Sequence, residues 1–254
     1  MRELYRYRDL VFTLVARDLK VRYRRSALGF LWTMLQPLLY MLVLHLVFSS
    51  IFRYEVDNYP VYALAGLLFW NFFQQTIVSS MNSLRGNAQL LRKVAVPAEV
   101  FPLATVLSGV VNLLLATVPL FLIMVVTGHS FTPALLFLPV SMVIAALFTL
   151  GAGLLLSPMA VFFGDVVELV GVLLQLLFFL TPVMYPLSII PERLAWAVRF
   201  NPMRSVLEVF RDPIFYGKVP PVGHLAVALG VSLVALLVGL AVFRRSRYRI
   251  AFYV

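Results

Sequence analysis

The chain has 254 residues, of which 62% are hydrophobic and only 13% are charged, whereas ordinary soluble domains carry about a quarter charged residues. A soluble fold of this composition would leave much apolar surface in water, so the composition predicts a membrane protein. The absence of cysteine excludes disulfides and thiolate metal sites, and the net charge of +10 has to be interpreted from where the basic residues lie.

Residues 1–25 predict an amphipathic helix that lies in the cytoplasmic interface of the membrane. Steps of three and four place a polar stripe on one side: Arg6, Asp9, Thr13, Arg17, Lys20 and Arg24. Apolar residues occupy the other side: Leu4, Tyr7, Val11, Leu14 and Val15. The residues alone leave open whether this helix is only a topology anchor or also a docking element.

Residues 29–243 predict a core of six transmembrane helices. The apolar segments are 29–52, 61–83, 102–126, 134–156, 169–183 and 222–243. The first has no charged side chain over 24 residues, about 36 Å of helix, which is enough to cross a bilayer core of about 30 Å. Small residues at steps of four in the fourth segment predict a close helix contact: Ser141, Ala145, Thr149, Gly153 and Ser157.

Neutral polar residues form stripes within two of these segments. Asn71, Gln75, Ser79 and Asn82 share one face of the second, and Thr105, Ser108 and Asn112 share one face of the third. Such faces contact protein or water rather than lipid, through helix-to-helix hydrogen bonds or as the lining of a pathway. With 21 Phe, 11 Tyr and 3 Trp, a pathway of this kind suits a neutral polymer that slides over ring faces. The candidate lining residues are Tyr40, Phe69, Asn71, Phe73, Gln75 and Asn112.

Two further segments flank the fifth span. Asp165 and Glu168 fit an Asp version of the capping box at its start, and capping is sufficient to explain both acids. The other interpretation is that they face a cytoplasmic partner.

After the fifth span, residues 186–216 are divided by prolines into pieces too short to cross a membrane. Two short helices fit, Pro191 to Arg199 and Pro202 to Phe215 capped by Asn201, and they predict a re-entrant hairpin in the outer interface.

The basic residues indicate the orientation. Of the 21 Lys and Arg residues, eight lie up to Arg25, three in the loop 84–101 and four in the tail 244–254. Because basic residues collect on the cytoplasmic side, both termini are predicted to be cytoplasmic. This placement also accounts for most of the positive charge without nucleic acid.

Several stretches resemble the ABC-2 type permeases of the polysaccharide-export branch, which includes Wzm-type O-antigen and teichoic acid exporters. The first covers Arg22 to Ser26, Leu28 to Trp32, Leu35 and Pro37-Leu38. The second covers Asp165 to Gln175, Phe178-Phe179, Thr181 to Val183, Tyr185-Pro186 and Asn201-Pro202. The resemblance extends over nearly the whole chain and keeps its order.

The resemblance implies an all-α integral membrane fold of the ABC-2 (type V exporter) kind, one domain over residues 1–254, in a bacterial inner membrane. It implies a homodimer with the pathway between subunits, a lipid-linked polysaccharide as substrate, and two copies of a separate ATPase. Residues implied to meet the ATPase are Arg6, Asp9, Arg17, Arg92, Asp165 and Glu168. The hairpin 186–216, with Trp196, Asn201 and Pro202, is implied to form an external gate.

The sequence contains no G-x-x-x-x-G-K-[ST] loop, so ATP and Mg are expected in the partner ATPase and no cofactor is expected in this chain. Secondary transporters usually keep charged groups in their spans, whereas here only His45 could titrate there. A membrane-embedded enzyme would need a catalytic constellation, and Asp165 with Glu168 is the only close acidic pair near the membrane. The alternatives are an ABC-2 exporter of another substrate (teichoic acid, capsule, lipid or drug) and, further from the pattern, a passive channel.

Overall fold

A computed structural model describes residues 7–23, 29, 31–48, 56–93 and 96–253. Within these residues the chain forms ten α-helices and no strand. They are α1 Arg8–Tyr23, α2 Leu31–Phe48, α3 Tyr59–Gly86, α4 Ala88–Lys93, α5 Val100–Val126, α6 Leu138–Phe162, α7 Val166–Leu180, α8 Glu192–Arg199, α9 Pro202–Arg211 and α10 Val222–Tyr253. Short 3₁₀ turns lie at Pro133–Phe137 and Leu187–Ile189, and a π turn lies at Asp212–Tyr216. The all-α prediction is confirmed.

Among the described residues, four helical segments are long and apolar enough to cross a membrane: Tyr59–Gly86, Val100–Val126, Pro133–Phe162 and Val222–Ile250. They correspond to the predicted second, third, fourth and sixth spans. The helices at the first and fifth predicted spans contain shorter apolar stretches, Met34–Val43 in α2 and Val166–Leu180 in α7. The six-span count therefore stays a prediction, and residues 30 and 49–52 of the first span lie outside the described residues.

Helix α3 is at the centre of the fold. It contacts α2, α5, α6, α7 and α9, and 78% of its apolar 18-residue stretch is buried inside the protein. Its large side chains interlock with rings from other helices, as Phe69 does with Phe210 and Phe73 with Phe148. Its exposed and half-buried side chains, among them Asn71, Gln75 and Ser79, lie on the one face that these neighbours leave partly open.

Helix α6 packs through the small residues that its sequence pattern predicts. All five are buried: Ser141, Ala145, Thr149, Gly153 and Ser157. A Cβ added to Gly153 would lie 3.1 Å from the Cβ of Ser80 on α3. On another side of α6, Gly151 approaches Gly239 of α10 so closely that neither position has room for a Cβ. The predicted close packing is confirmed.

One end of the molecule, here called the basic end, comprises α1, α4 and the last turns of α10. Val11 and Leu14 of α1 are buried there against Phe101 of α5, together with Phe243 and Ile250 of α10. Asp9, Thr13 and Arg17 are exposed on the opposite side of α1, as the stripe predicts. Phe12 is also exposed, so the polar face is less uniform than its spacing suggests. Arg6 and Arg24 lie outside the described residues.

The opposite end, here called the hairpin end, contains α8 and α9. Helix α9 begins as predicted, with the Asn201 side chain accepting a hydrogen bond from the Met203 N–H at 3.0 Å. It ends at Arg211 rather than at Phe215, because Pro213 has no N–H to donate to the Val209 carbonyl. That carbonyl instead accepts from the Ser141 hydroxyl at 2.8 Å. The two predicted short helices are therefore both present, and α9 is one turn shorter than predicted.

Candidate functional site

A groove runs along the surface where α2, α3 and α7 meet, and here it is called the polar groove. Its volume is about 790 Å³. It is lined by Gln36, Tyr40, Leu67, Trp70, Asn71, Gln74, Gln75, Val78, Ser79, Gln175, Phe178, Phe179 and Met184. Three of the α3 residues, Asn71, Gln75 and Ser79, come from the predicted neutral stripe. Gln36 and Tyr40 lie four apart on one face of α2.

A second cavity lies on the other side of α2, between α2, α3 and α5, and here it is called the side pocket. Its volume is about 400 Å³. Gln36, Asn71 and Gln75 line both cavities, and Asn112 of α5 lines the side pocket alone. One residue of the stripe predicted on the third span, Asn112, therefore shares the side pocket with Asn71 and Gln75 of the second.

The lining of both cavities is uncharged among the described residues. Amides, hydroxyls and aromatic rings can hydrogen-bond and stack against a neutral ligand, and none of them carries a charge that would select for an ion. The Trp70 indole donates to Gln74 Oε1 at 2.9 Å, which fixes one amide in place. No group of three or more His, Asp or Glu side chains suited to a metal occurs in the described part of the chain.

The predicted lining residues divide into two sets. Tyr40, Asn71 and Gln75 line the polar groove, and Asn112 lines the side pocket. Phe69 and Phe73 line neither cavity, because they point to the packed side of α3 and are buried against other helices. Their ring centroids lie 5.8 Å from that of Phe210 and 5.6 Å from that of Phe148, respectively.

Sequence reasoning did not select nine of the groove residues, among them five with polar or aromatic side chains outside the predicted stripe: Gln36, Gln74, Gln175, Phe178 and Phe179. A signal for them exists. Gln175 and Phe179 lie four apart on α7, as Gln36 and Tyr40 do on α2, so each helix presents a polar and an aromatic side chain on one face. What the sequence does not contain is the information that these two faces converge on α3.

The predicted docking residues within the described chain are all exposed at the basic end: Asp9, Arg17, Arg92, Asp165 and Glu168. Arg17 Nη1 donates to Asn87 Oδ1 at 2.7 Å, which ties α1 to the junction of α3 and α4. Arg85 Nη2 donates to the Val161 carbonyl at 3.4 Å and ties the same junction to α6. Arg6 lies outside the described residues.

The predicted capping box at Asp165 is wrong. Asp165 occupies the N-cap position of α7, but its backbone is already helical, with φ −79° and ψ −6°, and its side chain makes no capping bond. A capping side chain requires an extended backbone at that position. Asp165 and Glu168 therefore do not form a capping box on α7, and both carboxylates are exposed.

At the hairpin end, the three candidate gate residues lie in different environments. Asn201 is buried and donates to the Leu180 carbonyl at 3.2 Å and to the Thr181 hydroxyl at 2.9 Å. Trp196 is 65% exposed on α8, and Pro202 is exposed at the start of α9. Asn201 thus fixes α9 to the end of α7, whereas Trp196 is available for contacts outside the subunit.

A group of charged residues surrounds the π turn at this end. Burial, and next the nearby Glu208 carboxylate, raise the pKa of Asp212 to about 6, whereas His224 and Arg211 act in the opposite direction. Glu208 accepts from Arg204 Nε at 2.7 Å, and its other oxygen lies 3.9 Å from His224 Nδ1. Asp212 therefore gains its charge only near neutral pH.

With this geometry, the chain can be compared with known proteins. A sequence profile described as ABC-2 type transporter matches residues 9–215. The chain belongs to the ABC-2 type transporter family. Helices α2 to α9, with both cavities and the hairpin, lie inside the matched range, and α10 lies beyond it.

Full-length relatives of this ABC-2 chain carry names from polysaccharide export. The O-antigen export system permease protein RfbA of Myxococcus xanthus is 36% identical over 254 residues, which cover 99% of this chain and 97% of that protein. RfbA of Klebsiella pneumoniae is 30% identical over 246 residues, 96% of this chain and 94% of the relative. The polysialic acid transport protein KpsM of Escherichia coli is 25% identical over 241 residues, covering 92% of each chain.

Proposed function

We propose that this chain is the transmembrane permease subunit of an ATP-driven exporter that moves a lipid-linked, O-antigen-like polysaccharide out of the cytoplasm. The observation that carries the proposal is the polar groove, in which uncharged amides and aromatic rings line one continuous surface. A sugar chain offers hydroxyls to the amides and apolar ring faces to the aromatics. Stacking tolerates a repeating, moving ligand, because each contact is weak and exchangeable.

Six membrane crossings fit the helix lengths. Helix α7 has 15 residues, about 22 Å, which is short of a bilayer core of about 30 Å. The non-helical residues 181–185 that follow it continue the chain beyond the helix, and a short crossing is accommodated by local thinning of the bilayer. The hairpin of α8 and α9 is too short to cross, and the buried face of α9 supplies the protein shelter that a re-entrant backbone needs.

Two copies of the chain complete the pathway. The polar groove opens on the surface of the chain, where Gln36 and Gln175 are exposed. Amides left facing lipid are costly, so a second copy placed over this face would shelter them and enclose the groove. A twofold axis between subunits is the commonest symmetry for such an arrangement.

The basic end supplies a docking face for two copies of a separate ATPase that binds ATP and Mg. It presents exposed charges of both signs, among them Arg17, Arg92 and Asp165. The excess of basic residues there favours a cytoplasmic location for both termini, in a bacterial inner membrane. The hairpin end would then lie outside, and there Trp196 and Phe200, which are exposed on and beside α8, would form an external gate with Asn201 and Pro202.

The proposal is tested by deleting the gene for this chain in the bacterium that encodes it. We expect surface polysaccharide to disappear and lipid-linked glycan to accumulate inside, and the wild-type chain to restore export. Unchanged surface polysaccharide would refute the function, and accumulation of a different polymer, such as teichoic acid, would refute the assigned substrate. Export that continues when the partner ATPase is inactivated would indicate a passive channel instead.

A further inference from the structure

The segment that follows α7, Thr181–Tyr185, is here called the junction segment. It makes few helical hydrogen bonds, yet its first three residues are buried. Side chains from distant elements bond its carbonyls instead. Arg211 Nη1 donates to the Pro182 carbonyl at 2.8 Å and Arg211 Nη2 to the Val183 carbonyl at 2.5 Å. Tyr59 and Tyr62 of α3 donate their hydroxyls to the carbonyls of Met184 and Tyr185, at 3.1 and 2.9 Å.

Arg211 makes two of these hydrogen bonds, whereas each tyrosine makes one. It is 3% exposed, and its guanidinium lies 4.0 Å from the centre of the Tyr62 ring. Gly66 leaves the space for this arrangement, because a Cβ there would collide with the Val183 carbonyl and with Arg211 Nη2. Burying a guanidinium is costly, and here the fork onto two carbonyls and the ring beneath it offset that cost.

The junction segment also forms part of the polar groove. Met184 lines the groove together with Phe178 and Phe179. The Tyr185 hydroxyl donates back to the Phe179 carbonyl at 2.6 Å, which links the segment to the last turn of α7. A displacement of the junction segment would therefore move the aromatic wall at the hairpin end of the groove.

We propose that Arg211 is a positioning residue for transport: its fork onto Pro182 and Val183 fixes the wall of the polar groove formed by Phe179 and Met184. The fork joins α9 of the external hairpin to the end of α7, so the hairpin cannot move away from α7 unless the fork opens. The role in transport rests on the proposed function. The anchoring of the junction segment does not.

Thiol labelling tests the anchoring directly, because the chain has no cysteine of its own. We would introduce Met184→Cys, purify the chain, reconstitute it in nanodiscs and measure its reaction rate with a water-soluble maleimide. Adding Arg211→Met should raise that rate about tenfold, equivalent to ~1.4 kcal/mol of easier opening. The matched control is Arg204→Met. It removes the same charge from the same helix, but the native Arg204 pairs with Glu208 and not with the junction segment.

Two further variants make the test decisive. Arg211→Lys keeps the charge but cannot fork onto two carbonyls, so its labelling rate should fall between wild type and Arg211→Met. Tyr62→Phe keeps the ring beneath the guanidinium and removes only the bond to the Tyr185 carbonyl, so it should raise labelling severalfold while the Arg211 fork stays intact. A labelling rate of Arg211→Met equal to that of the Arg204→Met control would overturn the proposal. If Arg211→Met does not fold, a rate of Arg211→Lys equal to that of wild type would overturn it.

The transport role has its own readout in the complete exporter. Arg211→Met should lower the polysaccharide exported per ATP hydrolysed, measured at equal amounts of folded permease, and Arg211→Lys should restore part of it. A variant with faster labelling but an unchanged export ratio would refute the transport role and leave the anchoring in place. Failure of the proposed function would be recognised separately, by unchanged surface polysaccharide in the deletion strain.

Discussion

The close approach of α6 and α10 predicts that Gly239→Ala weakens the packing of the membrane helices. The added Cβ would lie 3.0 Å from the carbonyl carbon and 3.2 Å from the Cα of Gly151, and in collision with the carbonyl oxygen. Because these are backbone atoms, they cannot rotate away, and the helices have to separate. A gap of about 0.5–1 Å already removes a quarter to a half of the dispersion energy of the contacts it affects.

Overpacking by one methyl typically costs about 1–3 kcal/mol. For a chain of this size that corresponds to a melting temperature lower by about 2–12 °C. Gly230→Ala is the matched control, since it lies on the same helix with nothing within 4 Å of its added Cβ. There the change from Gly to Ala should be neutral or stabilising by up to about 1 kcal/mol, through helix propensity alone.

The assay is a thermal melt of both purified variants in the same detergent, with the fraction of monodisperse protein measured after heating. We expect Gly239→Ala to melt below wild type and Gly230→Ala to melt at or above it. If the two variants melt together, the glycine contact does not determine the packing of α6 on α10, and the reasoning fails.

Three further predictions concern the functional surfaces. Asn71→Leu removes an amide that lines both cavities and should lower surface polysaccharide severalfold at equal permease level. Asn82→Leu, on the same helix but outside both cavities, should leave export unchanged. Equal export by the two variants would contradict the assignment of Asn71 to the pathway. Asp165→Lys reverses an exposed charge at the basic end and should weaken co-purification with the ATPase while membrane insertion stays normal; undiminished co-purification would count against docking there. Asp212 has a pKa of about 6 in the folded protein and about 3.9 when unfolded, so the folded state holds more protons between these values and stability should fall as pH rises from 4 to 6. Asp212→Asn should remove that part of the pH dependence of melting, and a profile identical to wild type would exclude the carboxyl as its source.

Features with a local cause were predictable from the sequence. The start of α9 follows from Asn201 before Pro202, because an amide cap and a first-turn proline act within three residues. The packing face of α6 follows from small residues at steps of four, all of which are buried. In each case the pattern and its physical effect lie in the same turn or the same helix.

Features that depend on distant partners were not predictable. Arg211 reads in the sequence as an ordinary interfacial charge, yet it is buried because its acceptor at Pro182 lies 29 residues earlier and its ring partner lies on α3. Phe69 fits a pathway by residue type, but the helix face it occupies is the packed one. Asp165 fits a cap by spacing, and its backbone angles, which depend on the turn before it, remove that role.

Helix α10 runs through 32 residues with no proline, about 48 Å of unbroken rod. Near its first turn His224 faces Glu208 of α9, near its last turn the Tyr253 ring meets Phe162 of α6 at 5.3 Å, and Gly239 presses on Gly151 between them. Because the helix has no break, these three contacts lie on one continuous element that packs along α6. A displacement at either tip therefore has to be accommodated at the glycine contact, where neither backbone has room to approach the other.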